Sequence, residues 1–478
     1  MNEAVLDAKQ AFLPYPPYNR AAVMTRLSEA LTGLDRKIVV LDDDPTGVQT
    51  VHGVYVYTDA SARGIRAGFE APETLFYLLT NSRGQTAEQS AQMHAEIAGA
   101  VTAAARETGK AFLIISRSDS TLRGHYPLET ETLAGGLARQ GSPPDGEVIL
   151  PFFPEGGRYT MNNIHYVSAG ERLVPAGQTE FARDKTFGYQ SSDLREWVQE
   201  KTGGAYAAKD VLCVSLEALR AFDVAGIADK LSDMRHFGKI IVNAIDYLDV
   251  AVFVIALAEA LKRGKTFLFR SAAALPKIIG GIPDKPLLTR EELTDARNPN
   301  GGLIIAGSHV QRTTEQLDAL RAVHGITFIE FNQHLALDVS ALEAEGRRVR
   351  EEAERVISGG VTAVIYTRRE RFDTGLEDKE EELRLAVRIS HALSDIVSGL
   401  AFRPGFIIAK GGITSSDVGT RGLNVRKARV AGQILPGVPV WRTGPESRFP
   451  GLPYVIFPGN VGDVYALRAA VEKMAPKT

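Results

Sequence analysis

"KIVVLDDDPTGVQTVHG", residues 37–53, runs from an apolar stretch, Ile38 to Leu41, into three adjacent carboxylates, Asp42, Asp43 and Asp44, followed by Pro45-Thr46-Gly47. A short apolar run ending in turn residues reads as a strand buried on both faces, the kind that builds parallel sheets. Three like charges at its end repel one another, so the chain must place something there that makes the arrangement tolerable. Capping of the next turn accounts for one of the three at most.

The same rhythm continues outward from this stretch. "TLFYLLTNS", "AFLIIS", "EVILPFF", "GKIIVNAID" and "TFLFRSA" are further strand-like runs, separated by amphipathic segments such as "TAEQSAQMHAEIAGAVTAAARETG". It restarts at "GGLIIAGS" and passes through "ITFIEF", "TAVIYT", "GFIIAKGG" and "PYVIFPGN". Strands alternating with helices predict an α/β protein of two domains, each a mainly parallel sheet flanked by helices, with an active site in the interdomain cleft. The Pro- and Gly-rich "LPKIIGGIPDKPLLTREELTDARNPNGG" separates the two series. The expected organisation is an N-terminal extension at 1–36, a substrate domain at 37–275, a linker at 276–301 and a nucleotide-binding domain at 302–478. The extension reads as hugging the surface, with packing on a partner subunit of a homodimer as the alternative.

Composition removes other classes. The 55 Lys+Arg nearly balance 58 Asp+Glu, so no basic field is available for a nucleic acid or an anionic membrane. The most apolar run, "VAVFVIALAEAL" from Val250, is far short of the roughly 20 residues a membrane span needs. One cysteine, Cys213, and a charged N-terminus predict a cytoplasmic protein whose partners are small molecules.

In the C-terminal half, "LIIAGSHVQRTTEQLDAL", "FIIAKGGITSSDV" and "YVIFPGNVGDVYALRAAVEKM" each carry a strand into a glycine turn and a helix. Such turns expose backbone N–H groups to phosphate oxygens. Singly each is ordinary α/β construction; three on one sheet edge favour a nucleotide. The phosphate-loop pattern is absent around Gly264-Lys265-Thr266, where Glu259 occupies the first glycine position, and no G-x-G-x-x-G follows a strand. The loops therefore suggest an ATP site of another design.

In the N-terminal half, "RSDSTLRGH" follows "AFLIIS" and supplies Arg117, Asp119, Ser120 and Arg123, while "TNSRGQT" supplies Arg83. This density of polar groups at strand ends suits a small polyhydroxylated anion, with Arg117 or Arg123 forking onto its carboxylate. A capped helix start is the bland alternative. His125 and His309 stand alone, without metal-ligand spacing, and no metal ligands are assigned. Asp42-x-Asp44-x-Thr46 also fits the opening of haloacid-dehalogenase-type phosphatases, but the second acidic cluster that such enzymes need is missing near Asp463.

Seven blocks, "DDDPTGVQT", "RSDSTLRGHYP", "PFFPEGGRYTMNNIHYV", "QTEFARDKTFGY", "AGSHVQRTTEQL", "KGGITSSDVGTRGL" and "LPGVPVW" with "FPGNVGD", resemble the four-carbon acid sugar kinase family in their order along the chain. The resemblance implies an acid-sugar-binding domain followed by an ATP-binding domain. It makes Asp43 and Asp44 the catalytic pair of an Asp-Asp-x-Thr-Gly motif. Asp43 is then read as base and Asp44 as its partner, an order open to reversal. It assigns Ser308, Gly411, Gly412, Ile413, Thr414, Gly459 and Asn460 to the nucleotide. The implied reaction is magnesium-assisted transfer from ATP to the terminal hydroxyl of threonate, erythronate or an oxo-tetronate. Pro45, Ser116 and Ile413 depart from the family's usual residues and leave the particular acid open, a branched one included. The readings from other classes are the phosphatase using Asp42 and Asp44, and a non-catalytic sensor of acid sugars.

Overall fold

The computed structural model describes residues 4–308, 310–370, 379–459 and 461–475. Its contacts divide the chain into two compact units, one of residues 1–47 and 59–284, the other of 48–58 and 285–478. Residues 48–58, which the sequence places in the first domain, thus go with the second. Their backbone settles this: Gly53 N–H donates to the Val430 carbonyl at 2.8 Å, and Val430 N–H returns a bond to Val54 at 2.9 Å. The boundary near 284 falls inside the Pro- and Gly-rich segment.

The first unit holds seven parallel strands: β1 (Lys37–Asp42), β2 (Leu75–Leu79), β3 (Phe112–Arg117), β4 (Gly146–Leu150), β5 (Leu212–Val214), β6 (Gly238–Val242) and β7 (Phe267–Ser271). Their order is β5-β6-β4-β7-β3-β1-β2. Every residue of β1 is buried, as a strand covered on both faces requires. One helix group comprises Ala62–Glu70, Ala87–Thr108 and Leu128–Arg139; another gathers around Tyr247–Lys262. The latter contains the apolar run from Val250, starts in a capping box of Asp246 and Asp249, and is buried nearly all round. Among the described residues no helix is long and apolar enough to cross a membrane.

One feature of this unit is absent from the sequence reading, and another agrees with the expected surface-hugging extension. A four-stranded antiparallel sheet has the order Leu6–Asp7, Arg172–Pro175, Ile164–Ala169, Arg158–Met161. Its tight hairpin turns on Asn162 and Asn163, at φ 50° and 68°, the left-handed pair that a two-residue loop demands. The N-terminal extension also packs on its own unit. Leu6 pairs with Leu173, the helix Arg20–Thr32 lies on Tyr247–Lys262, and Tyr18 donates to Asp249 at 2.9 Å, beside the Arg220–Asp249 ion pair at 2.7 Å.

The second unit carries β8 (Leu303–Ala306), β9 (Ile326–Phe331), β10 (Thr362–Thr367), β11 (Ile407–Lys410), β12 (Lys427–Leu435), β13 (Val438–Thr443) and β14 (Pro453–Phe457). The parallel order β14-β11-β8-β10-β9 continues through antiparallel β13 and β12 to Tyr55–Tyr57. Both units are therefore α/β, with mainly parallel strands flanked by helices.

A buried ion pair joins neighbouring strands of the first unit. Lys239 lies opposite Glu147 in register, with 2.5 Å between charged atoms and no exposure of either side chain. The ammonium also sits 3.9 Å from the Phe237 ring centroid and 4.2 Å from that of Tyr206. Lys239→Met strands the Glu147 carboxylate and should cost about 3–5 kcal/mol of stability, most of which Lys239→Met/Glu147→Leu restores. Denaturant unfolding of the two variants checks this, and additive losses would contradict it.

Candidate functional site

Parallel strands bring the ends of β1, β2 and β3 to one edge, and register places Asp42 directly opposite Arg117. The three adjacent carboxylates then divide. Asp42 turns inward: its side chain is 1% exposed, Oδ1 lies 3.3 Å from an Arg117 Nη, and Oδ2 has no hydrogen-bond partner. Gly47 is required beside it, because a Cβ there would lie 1.9 Å from Asp42 Oδ1. Burial pushes the Asp42 carboxyl well above the usual range, against the opposing pull of Arg117.

Asp43 is gripped by both faces of one fork: Arg83 Nη2 reaches Oδ1 at 2.7 Å and Nε reaches Oδ2 at 3.1 Å. Arg117 approaches the same carboxylate at 3.6 Å. Burial nevertheless leaves Asp43 raised, since desolvation outweighs Arg83. Asp44 is the most open of the three. Its side chain is 16% exposed, Oδ1 accepts the Thr46 N–H at 2.8 Å, and Oδ2 stands 3.7 Å from Arg83.

The loop after β3 continues this network. Arg123 Nε donates to Asp119 Oδ2 at 2.6 Å, Thr121 bonds the same oxygen, and Asp184 lies 3.8 Å from Arg123. Burial alone would raise Asp119, but Arg83 and Arg123 hold its carboxyl well below the ordinary value. The loop comes close to Asp43: a Cβ on Gly124, at φ +118°, would be 3.6 Å from Asp43 Oδ2. Asp43, Asp44, Arg83 and Arg117 thus form one ion-paired group and Asp119 and Arg123 a second, which Arg83 influences through its charge on Asp119, and Ser120 is buried in the same loop.

Three side chains that sequence reasoning did not single out hold this loop by its carbonyls. His165 Nε2 donates to Ser120 at 2.8 Å, Tyr189 Oη to Thr121 at 2.8 Å, and Arg270 Nη2 to Arg123 at 3.1 Å. Arg270 is itself flanked by the stacked rings of Tyr126 and Trp197. The only sequence signal for them was their place in buried strands or in blocks rich in polar residues.

On the second unit, the glycine loops after β8 and β11 touch. A Cβ on Gly411, at φ +107°, would lie 3.4 Å from Ser308 Cβ, and one on Gly307 would lie 2.8 Å from Thr414 Oγ1. The third loop is tied to them by Lys410, missed in the sequence, whose Nζ donates to Pro458 and Gly459 carbonyls at 2.7 and 2.9 Å. Burial, then Arg312, pushes the Lys410 ammonium down to about 7. Arg369 donates to the Ser308 carbonyl at 2.7 Å. Gly412 begins the short helix Gly412–Asp417, and Ile413 is 69% exposed on it. Asn460 and His309 lie outside the described residues. Ser308, Gly411 and Thr414 therefore lie in adjoining loops, with Arg369 on the Ser308 carbonyl and Lys410 on the Gly459 carbonyl. Among the described residues no three His, Cys, Asp or Glu side chains converge as a metal cage.

The loop carrying Ser120 should be acid-sensitive through His165. Nε2 donates to a carbonyl, so in the neutral ring Nδ1 accepts from Thr160 at 3.0 Å, and burial pushes the ring down to about 4. Because this lies below the unfolded value of about 6.5, the stabilisation is complete above that pH and disappears as pH falls toward 4. The expected loss is about 3 kcal/mol. Chemical denaturation between pH 7 and 4 should show a shallower acid slope for His165→Gln than for the unsubstituted protein; equal slopes would refute the assignment.

The chain matches the model of a sugar-binding N-terminal domain over residues 38–279 and that of a nucleotide-binding C-terminal domain over residues 303–467. No curated protein matches it. A Salmonella typhimurium LT2 protein, provisionally described as a tRNA synthase, superposes with a TM-score of 0.62 at 16% identity, over 91% of this chain and 98% of its own. A Haemophilus influenzae protein of the DUF1537 family gives 0.57 at 17% identity, over 90% and 98%. At these identities the superpositions speak to fold alone. The two domain models, in this order and over most of the chain, make it a member of the four-carbon acid sugar kinase family.

Proposed function

We propose that this protein is an ATP-dependent kinase that phosphorylates the terminal hydroxyl of a small, four-carbon sugar acid such as threonate, erythronate or 3-oxo-tetronate. The observation that carries this reading is the division of labour between Asp43 and Asp44 in the sugar-binding domain. Asp43 is occupied by the two-point bond from Arg83, whereas Asp44 Oδ2 stands 3.7 Å from Arg83, beyond hydrogen-bonding range, and Asp44 is partly exposed. That favours Asp44 as the proton acceptor and Asp43, with Arg83, as the group that orients it, the reverse of the order first read from the sequence. The acceptor hydroxyl gives its proton to Asp44 Oδ2 as its oxygen attacks the γ-phosphorus, and ADP departs with the electrons of the broken P–O bond.

In the nucleotide domain, the gathered glycine loops with Lys410 and Arg369 suit the phosphates of ATP. With no protein cage of ligands among the described residues, magnesium would come with the nucleotide, held chiefly by its phosphate oxygens. When bound it would neutralise charge on those oxygens.

The phosphatase reading requires Asp42 or Asp44 to attack phosphorus, with the other as acid/base. Asp42 is 0% exposed, walled by Gly47 and paired with Arg117, so a phosphate ester has no access to it. This counts against the pairing on which that reading depends.

A coupled ADP-release assay tests the proposal. Turnover is expected only when ATP and a sugar acid are both present. Asp44→Asn should lower kcat at least about a hundredfold with little change in ATP affinity, the usual range for a lost general base. Asp43→Asn should mainly loosen Arg83 and raise KM for the acid. ADP release that ignores the sugar acid, or full activity in both variants, would defeat the proposal.

A further inference from the structure

Five guanidinium groups surround the sugar-binding loops, and four have an evident counterpart. Arg83 and Arg117 pair with Asp42, Asp43 and Asp44, and Arg123 pairs with Asp119. Arg270 donates to loop carbonyls through Nη2 and lies against two aromatic rings that wall it in, although its Nη1 is buried without a partner. Both arginines that the sequence offered as carboxylate clamps, Arg117 and Arg123, are therefore already engaged with aspartates.

The fifth, Arg158, is different. It opens the first strand of the hairpin that turns at Asn162-Asn163, and its guanidinium lies 5.6 Å from the Phe181 ring centroid, on which Arg123 also rests at 5.0 Å. Its Nε is buried without a hydrogen-bond partner, and among the described residues no carboxylate lies within ion-pairing distance of it. Asp119 and Glu180 face it only at longer range, and Arg123 opposes it. Gly156 keeps space beside it, since a Cβ there would stand 3.1 Å from its Nη1. A half-buried guanidinium whose Nε is buried without a hydrogen-bond partner and has no carboxylate at ion-pairing distance is costly, and a planar fork beside a second one is suited to a carboxylate.

We infer that Arg158 receives the carboxylate of the sugar acid, with Arg123 beside it, and so selects acids over neutral sugars. The inference rests on the kinase reading above and assigns one end of its substrate. The Arg83–Asp43 and Arg123–Asp119 ion pairs, with Arg83 acting on Asp119 through its charge, then lie between the reacting hydroxyl and the acid group. Phe181 holds the two guanidiniums near each other without consuming their N–H groups.

The test compares kcat/KM for a four-carbon sugar acid and for the alditol of the same stereochemistry. The unsubstituted protein should favour the acid strongly. Arg158→Met should raise KM for the acid about ten- to a hundredfold, with KM for ATP and kcat at saturating acid nearly unchanged, so that the acid-to-alditol ratio collapses. Arg158→Lys keeps the charge and stem but loses the fork; it should show an intermediate ratio and carries the test if the Met variant does not fold. A purely structural Arg158 would lower stability without moving the ratio, and an unchanged ratio in either folded variant overturns the inference while the kinase reading stands. If the unsubstituted protein releases no ADP in response to any sugar acid, the kinase reading itself fails, and the inference falls with it.

Discussion

Three consecutive aspartates at the end of a parallel strand are held together by two arginines from neighbouring strand ends. At 4 Å and an effective dielectric near 20, unit charges repel or attract by about 4 kcal/mol, so the cluster could not persist without compensation of similar size. Arg117 supplies it from the adjacent strand, in register with Asp42, and Arg83 from the turn beyond the strand on the other side. Compensation is unequal, and that inequality creates chemistry. Asp42 becomes a buried structural acid, Asp43 a clamped one, and Asp44 an open carboxylate at the rim.

The rest of the sugar-binding unit serves the placement of these groups. Parallel pairing delivers three loop ends to one edge, where ligands of open α/β sheets collect. The loop after β3 is then held from behind by His165, Tyr189 and Arg270 through its own carbonyls, which leaves its side chains for ion pairs. Precise binding sites need such supporting contacts, because a loop placed only by its side chains would shift when they engage a ligand. In the nucleotide-binding unit, Lys410 plays the comparable part by tying the loop at Pro458 and Gly459 to the strand that precedes Gly411.

Much of this was legible in the sequence. Apolar runs ending in polar turns marked β1, β2, β3, β8, β11 and β14, and those ends do carry Asp43, Arg83, Arg117, Ser308, Gly411 and Gly459. What could not be read depended on pairing between distant segments. Tyr55–Tyr57 joins the second unit because of bonds to β12, some 370 residues away, for which local pattern holds no cue. The hairpin bearing Arg158 was hidden because an Asn-Asn turn between short strands resembles loop, and Arg158 itself is a single cation in "GGRYT". Whether an arginine pairs with protein or waits for a ligand is a property of the assembled neighbourhood. Arg117, Arg123 and Arg158 look alike in sequence and differ only there.

The central claim is transfer of the γ-phosphoryl group to a sugar-acid hydroxyl. Phosphorus NMR of a reaction containing the protein, ATP, magnesium and a four-carbon sugar acid tests it most directly. The account predicts a phosphomonoester resonance coupled to the terminal carbinol protons, rising in step with ADP. Inorganic phosphate as the sole product, or an ester at a position other than the terminal hydroxyl, would contradict it.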